Sequence, residues 1–462
     1  MEKRSVADYR NPSSFRDPSG FIFKNGDKVY RHIGAKYKEN YDRLMSSGLY
    51  AELTENHLLI PHQEKGVSLS PSVDAYRVLE PKHLRFISYP YEWSFGQLKE
   101  AALITLDIQK RALKFGMTLK DCSAYNIQFD DGDFVFIDTL SFEEYHEGAP
   151  WMGYRQFCQH FLAPLALAAY IDVRFQQLFR IFIDGIPLDF ASKLLPFSTY
   201  FHFPLFSHIH LHAKSQRYYG RKTITAGRMY LSRFRMEALI DHLESAIRSL
   251  RWKDEGTEWG DYYTLTNYSS DSFIHKQELV EEFLRIYRPN FVWDLGSNTG
   301  IFSRLASKRG IFTVAFDIDY AAVEKNVSIG KEKKERYLLP LFLDLTNPSS
   351  GIGWAHTERM SLRDRGPADM VLALALIHHI AISNNVPFDA IASFFSDIGK
   401  IIIVEFIPKS DSQVKKILAT REDIFPDYTE AGFEKAFSHY FAIEKKVPVR
   451  GSERTVYCMK KI

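Results

Sequence analysis

From Phe291 to the end of the chain, short apolar runs recur with helical segments set among them, and this pattern constrains the fold more than any other feature. The runs are FVWDL, TVAFD, LPLFLD, MVLALAL and IIIVEF. Helices are predicted around Lys276–Tyr287, Ile301–Lys308, Tyr320–Val327 and Asp389–Asp397. A strand that is apolar along its whole length must be covered on both faces, which calls for a parallel sheet with helices above and below. The last two runs, YFAIEKKVPV and RTVYCMK, flank a turn at Gly451 and predict an antiparallel hairpin joined to that sheet. The expected class for this half is α/β, doubly wound.

Open sheets of this kind bind ligands at the first strand-to-helix turn. Here that turn reads Asp294-Leu295-Gly296-Ser297-Asn298-Thr299-Gly300. Gly296 and Gly300 would let the backbone approach a ligand closely. The dinucleotide pattern G-x-G-x-x-G needs a glycine where this chain has Asn298, so a pyrophosphate-bearing cofactor fits poorly. The second strand ends in Asp317, seventeen positions past Gly300. A carboxylate there can accept two charge-assisted hydrogen bonds from a ribose diol, or it can cap the next helix. Asp344, ending the third strand, can meet the exocyclic amine of an adenine. Asp294 lies where an amino-acid ammonium group would sit. Three acids at neighbouring strand ends suit a cofactor that is cationic, carries a ribose and bears an amine on its base.

With that motif in that strand–helix context, residues 262–462 resemble the class I S-adenosylmethionine-dependent methyltransferases. The resemblance includes the closing hairpin, which Rossmann dehydrogenases lack. It implies a Rossmann-like sheet, S-adenosylmethionine as cofactor, and Asp294, Gly296, Ser297, Asn298, Gly300, Asp317 and Asp344 as its binding residues. Strand four ends in Ala375-Leu376-Ile377-His378-His379. The N-P-P-Y-type motif of DNA and protein amide methyltransferases is absent, which leaves a hydroxyl, amine or carbon acceptor on a small molecule or glycan. For a hydroxyl acceptor a base must take the proton. His378 and His379 are candidates, and Glu405 at the end of strand five is another. The alternative for either histidine is packing under the sheet edge. Tyr262, Tyr263 and Tyr268 are read as a cover over the cofactor, or as packing aromatics.

The first half follows a different pattern. Asn25-Gly26 between apolar residues predicts a hairpin. A helix follows over Lys36–Asn56, then strands at Tyr76–Leu79 and Leu84–Tyr89, a helix over Gln97–Phe115, and a strand pair at Ile127–Phe129 and Phe134–Ile137. The segment after that second helix carries Asp121, Asn126 and Asp138. Their spacing and the order of elements resemble the protein-kinase and aminoglycoside-phosphotransferase superfamily. In that superfamily a D-x-x-x-x-N loop supplies a base and a metal ligand, and a further aspartate holds Mg²⁺ on the nucleotide phosphates. The resemblance implies Asp121 as base, Asn126 and Asp138 as metal ligands, and ATP with Mg²⁺ as cofactors. The chain departs from the family in two respects. Leu119 stands where it has histidine, and no glycine-rich phosphate loop occurs near Gly20–Gly26. Lys28 and Arg31 are the candidates for the phosphate-gripping cation.

The expected domains are a kinase-like or acceptor-recognition domain over 1–215, a helical connector over 216–261 and the methyltransferase domain over 262–462. The leading reading is a methyltransferase whose first half selects a small-molecule or glycan acceptor. The second is a bifunctional kinase–methyltransferase acting on a surface glycan, similar in concept to bacterial enzymes that phosphorylate and methylate O-antigen ends. The C-terminal half also resembles methyltransferases encoded near nodulation and surface-glycan genes. The third reading is a non-catalytic cofactor-binding scaffold.

The chain of 462 residues carries 59 Lys and Arg against 57 Asp and Glu, a net charge of +2. That balance sets up no broad field for a polyanion, so nucleic acid is not an expected partner. Its 3 cysteines form no C-x-x-C pair, which argues against a zinc or redox site and fits a reducing cytoplasm. The most apolar run, Phe161–Ile171, is too short to span a bilayer and contains Pro164.

Overall fold

The computed structural model describes residues 10–214, 230–253 and 270–462. The chain divides into two compact units, one of Met1–Lys253 with Ile352–Arg359, the other of Asp254–Gly351 with Met360–Ile462. The helix expected in the connector therefore belongs to the first unit. So do eight residues from within the methyltransferase-like sequence.

The first unit begins with a four-stranded antiparallel sheet of order β1-β2-β4-β3, formed by β1 (Gly20–Asn25), β2 (Lys28–Gly34), β3 (His62–Lys65) and β4 (Ala75–Pro81). The expected hairpin forms, but its two turn residues are Gly26 and Asp27, with Gly26 at φ +62°; Asn25 is the last residue of β1 and pairs with Lys28. The single helix expected after β2 is two, α1 (Lys38–Ser46) and α2 (Leu49–Glu55), because Gly48 between them adopts φ +89°. The strand expected at Leu84–Tyr89 does not form. The Ser88 N–H donates to Gln128 Oε1 at 2.9 Å and its C=O accepts from Gln128 Nε2 at 2.9 Å, so a side-chain amide replaces a strand partner. The strand that does form, β3, is the polar edge segment HQEK, which has no apolar alternation to betray it.

Helix α3 (Phe95–Lys114) is entered through a capping box. Ser94 Oγ accepts the Gln97 N–H, and the Gln97 side chain returns to the Ser94 N–H. The chain then runs through β5 (Met117–Leu119), the hairpin β6 (Ile127–Asp130) and β7 (Asp133–Phe136), and β8 (Phe142–Glu144), which pairs antiparallel with β5. The remaining described residues of the unit are mainly helical, with α4 (Ala163–Tyr170), α5 (Leu188–Leu194) and α6 (Arg233–Ser249) among the pieces. Pro164 follows a π-helical turn, Cys158–Leu162, that joins the helical residues Tyr154–Phe157 to α4 without a break, so the apolar run lies within one continuous helical stretch.

The second unit is a seven-stranded sheet, β9 (Phe291–Leu295), β10 (Phe312–Asp317), β11 (Leu338–Phe342), β12 (Ala368–Ala373), β13 (Gly399–Phe406), β14 (Phe441–Pro448) and β15 (Thr455–Lys461). Its order is β11-β10-β9-β12-β13-β15-β14. The first five strands are parallel, and β15 slots antiparallel between β13 and the edge strand β14. The switch in strand order falls at β9, between β10 and β12, which opens a crevice at their carboxyl ends. Helices α7 (Ser270–Tyr287), α8 (Ser303–Ser307), α9 (Tyr320–Glu332) and α10 (Phe388–Ile398) accompany the strands. Leu279, Val280, Phe283 and Leu284 of α7 form one apolar face that packs on Val292, Met370, Leu372, Ile403 and Cys458 of the sheet. Each such side chain contributes about 1.5–3 kcal/mol on burial. Asp319 caps α9 by accepting the Ala321 N–H at 2.8 Å.

Candidate functional site

At the carboxyl ends of β9, β10 and β12 the sheet opens into a cavity of about 280 Å³. The loop after β9 forms its floor. Gly296 adopts φ +73°, and a Cβ there would stand 3.2 Å from Leu376 Cδ1. The N–H groups of Gly296 and Ser297 both donate to Phe316 O at 2.9 Å, which ties the loop to β10. The Asn298 N–H donates to Asp317 Oδ2 at 2.7 Å, and the Asp319 N–H to Oδ1 at 2.9 Å. Asp317 therefore holds the loop and faces the cavity at once. Asp294 is fully enclosed, and its Oδ2 accepts from Ser303 Oγ at 2.5 Å.

Burial pushes the Asp294 carboxyl up to about 7, with a further push from the charge of Asp317 and a counter-pull from Lys276. Burial also raises Asp317, to about 6, against the backbone hydrogen bonds that favour its charge. The Ser297 hydroxyl, which lines the same cavity, is buried without a hydrogen-bond partner. Two acids short of positive charge and one orphaned hydroxyl describe a cavity whose chemistry is completed by a cationic, hydroxyl-bearing ligand. The residues present thus fit S-adenosylmethionine.

The other expected binding residues differ in placement. Asp344 lies two positions beyond β11 and lines the cavity. Its Oδ1 accepts from the N–H and Oγ1 of Thr346 at 2.8 and 2.7 Å, so it also stiffens its own turn. Gly300, at φ +79°, sits behind the loop rather than on the cavity. A Cβ there would stand 2.6 Å from the Asn326 amide, so this glycine serves packing. Tyr262, Tyr263 and Tyr268 lie outside the described residues.

Among the acceptor-side candidates, His379 lines the cavity, and burial lowers it to about 4. His378 packs against it with ring centroids 4.1 Å apart. It is buried, its Nδ1 has no hydrogen-bond partner, and burial holds it well below the usual imidazole range. Burial thus disfavours the charged form of both rings. Glu405 is different: it is wholly buried and does not line the cavity. Its Oε2 accepts from Lys276 Nζ at 2.7 Å and from the Ala375 N–H at 2.8 Å, and Arg454 stands 3.7 Å from Oε1. That is the geometry of an ion-pair centre and not of a base in reach of a substrate.

Two cavity residues carry no clear mark in the sequence. Lys276 on α7 is buried and reaches the cavity wall. On a helix a lysine ordinarily reads as part of the solvated face, and only its position one turn before Leu279 and Val280 hints otherwise. Ile318, directly after Asp317, is a largely exposed apolar side chain on the cavity rim, placed to offer a flat platform to an aromatic base.

In the first unit, Asp121, Asn126 and Asp138 are brought together. Burial raises the Asp121 carboxyl, and the charge of Asp138 raises it further, while hydrogen bonds from the Ser123 N–H (2.9 Å), Gln156 and Asn126 oppose the shift. Asn126 Nδ2 donates to Ser141 Oγ at 3.4 Å, and Ser141 in turn donates to Asp138 Oδ2. Arg31 of β2 pairs with Asp138 Oδ1, whereas Lys28 is exposed and paired with Glu80. Among the described residues, no group of three or more His, Cys, Asp or Glu side chains is placed to hold a metal ion. No helix among them is long and apolar enough to cross a membrane. Cys122, Cys158 and Cys458 are all buried free thiols.

The acids of the cavity give a pH prediction. The native carboxyl of Asp294 titrates above its ordinary value of 3.8, near 7, so between those limits the native state holds more protons than the unfolded chain. Its contribution to stability is present below about pH 4 and is lost as the pH rises to about 7. Asp294→Asn should therefore stabilise the unliganded protein at pH 8 but not at pH 4, as read from urea unfolding midpoints. Every tenfold difference in proton affinity between the native and unfolded carboxyl is worth about 1.4 kcal/mol.

No family model matches the sequence. Among solved structures, the magnesium protoporphyrin IX methyltransferase ChlM of Synechocystis PCC 6803, with bound SAH, is 17% identical. That match covers 43% of this chain and 90% of its own, at a TM-score of 0.31. The bifunctional kinase-methyltransferase WbdD is 15% identical over 42% of this chain and 40% of its own, at a TM-score of 0.29. Nodulation protein NoeA of Rhizobium meliloti (strain 1021) is 35% identical over 463 aligned residues, which take in 98% of this chain and 96% of that protein. An identity of that size, sustained through both units, shows that the chain belongs to the NoeA family.

Proposed function

We propose that the chain is an S-adenosylmethionine-dependent methyltransferase acting on a small-molecule or glycan acceptor, with the first unit selecting that acceptor. The observation that carries this reading is the pair of buried, under-compensated acids, Asp294 and Asp317, at adjacent strand ends of a cavity. S-adenosylmethionine supplies an electrophilic methyl group on a cationic sulfur. The protein's own work is to bind and orient. Asp317 accepts the ribose hydroxyls, Ser297 and Asp294 receive the polar amino-acid end, and Ile318 covers a face of the base. Methyl transfer needs alignment of acceptor and methyl above all, so such positioning accounts for much of the rate. A neutral His379 at the cavity wall can accept a hydrogen bond from an acceptor hydroxyl. Incubating the protein with labelled S-adenosylmethionine and extracts of small molecules and glycans, followed by mass spectrometry, tests the reading. A labelled product supports it. Tight cofactor binding with no labelled product would favour the scaffold reading.

Gly296→Val should abolish cofactor binding while the fold is retained. The position needs φ +73°, and its Cβ already approaches Leu376. Circular dichroism with a cofactor titration checks both halves of that statement.

The second reading, a kinase–methyltransferase, is favoured by one observation, the assembly of Asp121, Asn126 and Asp138 around Arg31. Retained phosphoryl transfer predicts a Mg²⁺-dependent rise in melting temperature with ATP that Asp138→Ala removes. In that case Asp121→Ala keeps the shift but loses turnover, since a base acts in the chemical step. An acceptor-recognition unit predicts no shift with ATP. The closed ion pair at Asp138 and the two-residue turn in place of a phosphate loop favour recognition.

A further inference from the structure

The apolar side chains left in water are not scattered evenly. Three phenylalanines stand close together in the first unit, Phe197 at 74% exposure, Phe201 at 79% and Phe203 at 68%. The rings of Phe197 and Phe201 touch edge to face, with centroids 5.5 Å apart. Exposed rings normally fold back onto the nearest apolar surface, and here the turn beneath them is pinned. The Thr199 hydroxyl donates to Pro196 O at 2.6 Å. His210 is buried under the turn, with Nδ1 2.8 Å from Ser192 Oγ, Nε2 2.9 Å from Thr199 Oγ1, and its ring stacked on Tyr200 at 3.8 Å. A polar clamp thus holds the rings outward. Phe234, at 79% exposure, opens helix α6.

Charge follows the same stretch. From Lys193 to Arg235 the sequence carries eight Lys or Arg and not one Asp or Glu, in a chain whose total net charge is only +2. Of these, Lys193, Lys214, Arg233 and Arg235 are described and exposed. Arg233 is paired with Glu237 at 3.0 Å, which leaves the basic excess of this stretch to its other cations. Protruding phenylalanines in a basic stretch of chain form the pairing by which a protein seats on a lipid–water interface. The rings enter the acyl boundary, and the cations meet anionic headgroups. A single-strand nucleic-acid platform also combines rings and cations, but it presents ring faces along a groove. Here the rings meet edge-on and project into solvent.

We infer that the Phe197–Phe203 turn and the cations around it form a peripheral docking surface for an anionic phospholipid bilayer. The chain then needs no spanning helix to work at a membrane. Each exposed Lys or Arg near such a surface strengthens binding about fivefold, and the aromatic rings set the part that salt does not remove.

The test uses the full-length protein at low ionic strength. It is sedimented with phosphatidylglycerol–phosphatidylcholine vesicles and, separately, with pure phosphatidylcholine vesicles. The expected result is binding at least about tenfold tighter to the anionic vesicles. It should be lost in Phe197→Ser/Phe201→Ser at unchanged melting temperature, and the anionic preference should be lost in Lys193→Glu/Arg235→Glu. Phe203→Ser alone serves as a second, smaller perturbation. No sedimentation of the wild type, or full sedimentation of the serine variants, overturns the inference. A lowered melting temperature in both serine variants shows the rings covered within the chain and overturns it as well. So does binding of a short single-stranded RNA through these residues in place of vesicles.

Discussion

Replacing Glu405 by leucine should lower the stability of the protein by about 3–5 kcal/mol, the usual cost of stranding a buried charge. The substitution leaves Lys276 Nζ and the Ala375 N–H without the carboxylate that each now shares at 2.7 and 2.8 Å. Arg454 suffers less, because Nε also donates to Asp411 Oδ2 at 2.8 Å. Adding Lys276→Met should recover most of the loss, since an apolar pair is often no worse than the ion pair it replaces. Urea unfolding of the two single variants and the double variant gives the coupling directly. The effect should reach the cavity too. Ala375 lines it in a left-handed conformation, φ +51°, that its bond to Glu405 helps to hold. A base at this position would behave otherwise: Glu405→Gln would keep the stability and lose only turnover.

Asp317→Ala should weaken S-adenosylmethionine binding by about 2–4 kcal/mol, roughly thirty- to a thousandfold. Part of that loss comes from two charge-assisted bonds to the ligand. The rest comes from the loop, since the Asn298 N–H loses its acceptor at 2.7 Å. Asp317→Asn separates the contributions, because it keeps an acceptor oxygen and removes the charge. Calorimetry on the full-length protein should place it between the wild type and Asp317→Ala. Affinity in the wild type should also rise with pH through the region of about 6 to 7, where Asp317 and Asp294 become charged.

The parallel strands of the second unit are legible in the sequence because burial on both faces writes them as unbroken apolar runs. The place of β15 between β13 and β14 is not, since pairing order leaves no mark in a strand's own residues. The cavity acids at 294 and 317 are readable from their strand ends. Glu405 sits at a strand end as well, and the same reasoning makes it a base. Its partner Lys276 comes from a helix 129 positions earlier in the chain, a distance that no local pattern spans. Gly300 reads as a ligand contact because glycine signals close approach, but the approaching group is the Asn326 side chain. In the first unit the polar edge strand β3 and the Gln128-bridged segment near Ser88 both break the rule that strands alternate.

The eight residues Ile352–Arg359 have a consequence for how such a protein can change. They fold with the first unit: Glu358 receives Arg16 Nε at 2.6 Å and Nη2 at 3.0 Å, and the Arg359 guanidinium lies 4.3 Å above the Tyr125 ring. The polypeptide therefore passes between its two units three times, at 253/254, 351/352 and 359/360. A single cut near residue 254 would free a sheet that still carries a loop whose partners, Arg16 and Tyr125, stay behind. Exchange of a module by one crossover near residue 254 therefore separates this loop from Arg16 and Tyr125, and a swap that keeps those contacts has to carry both halves.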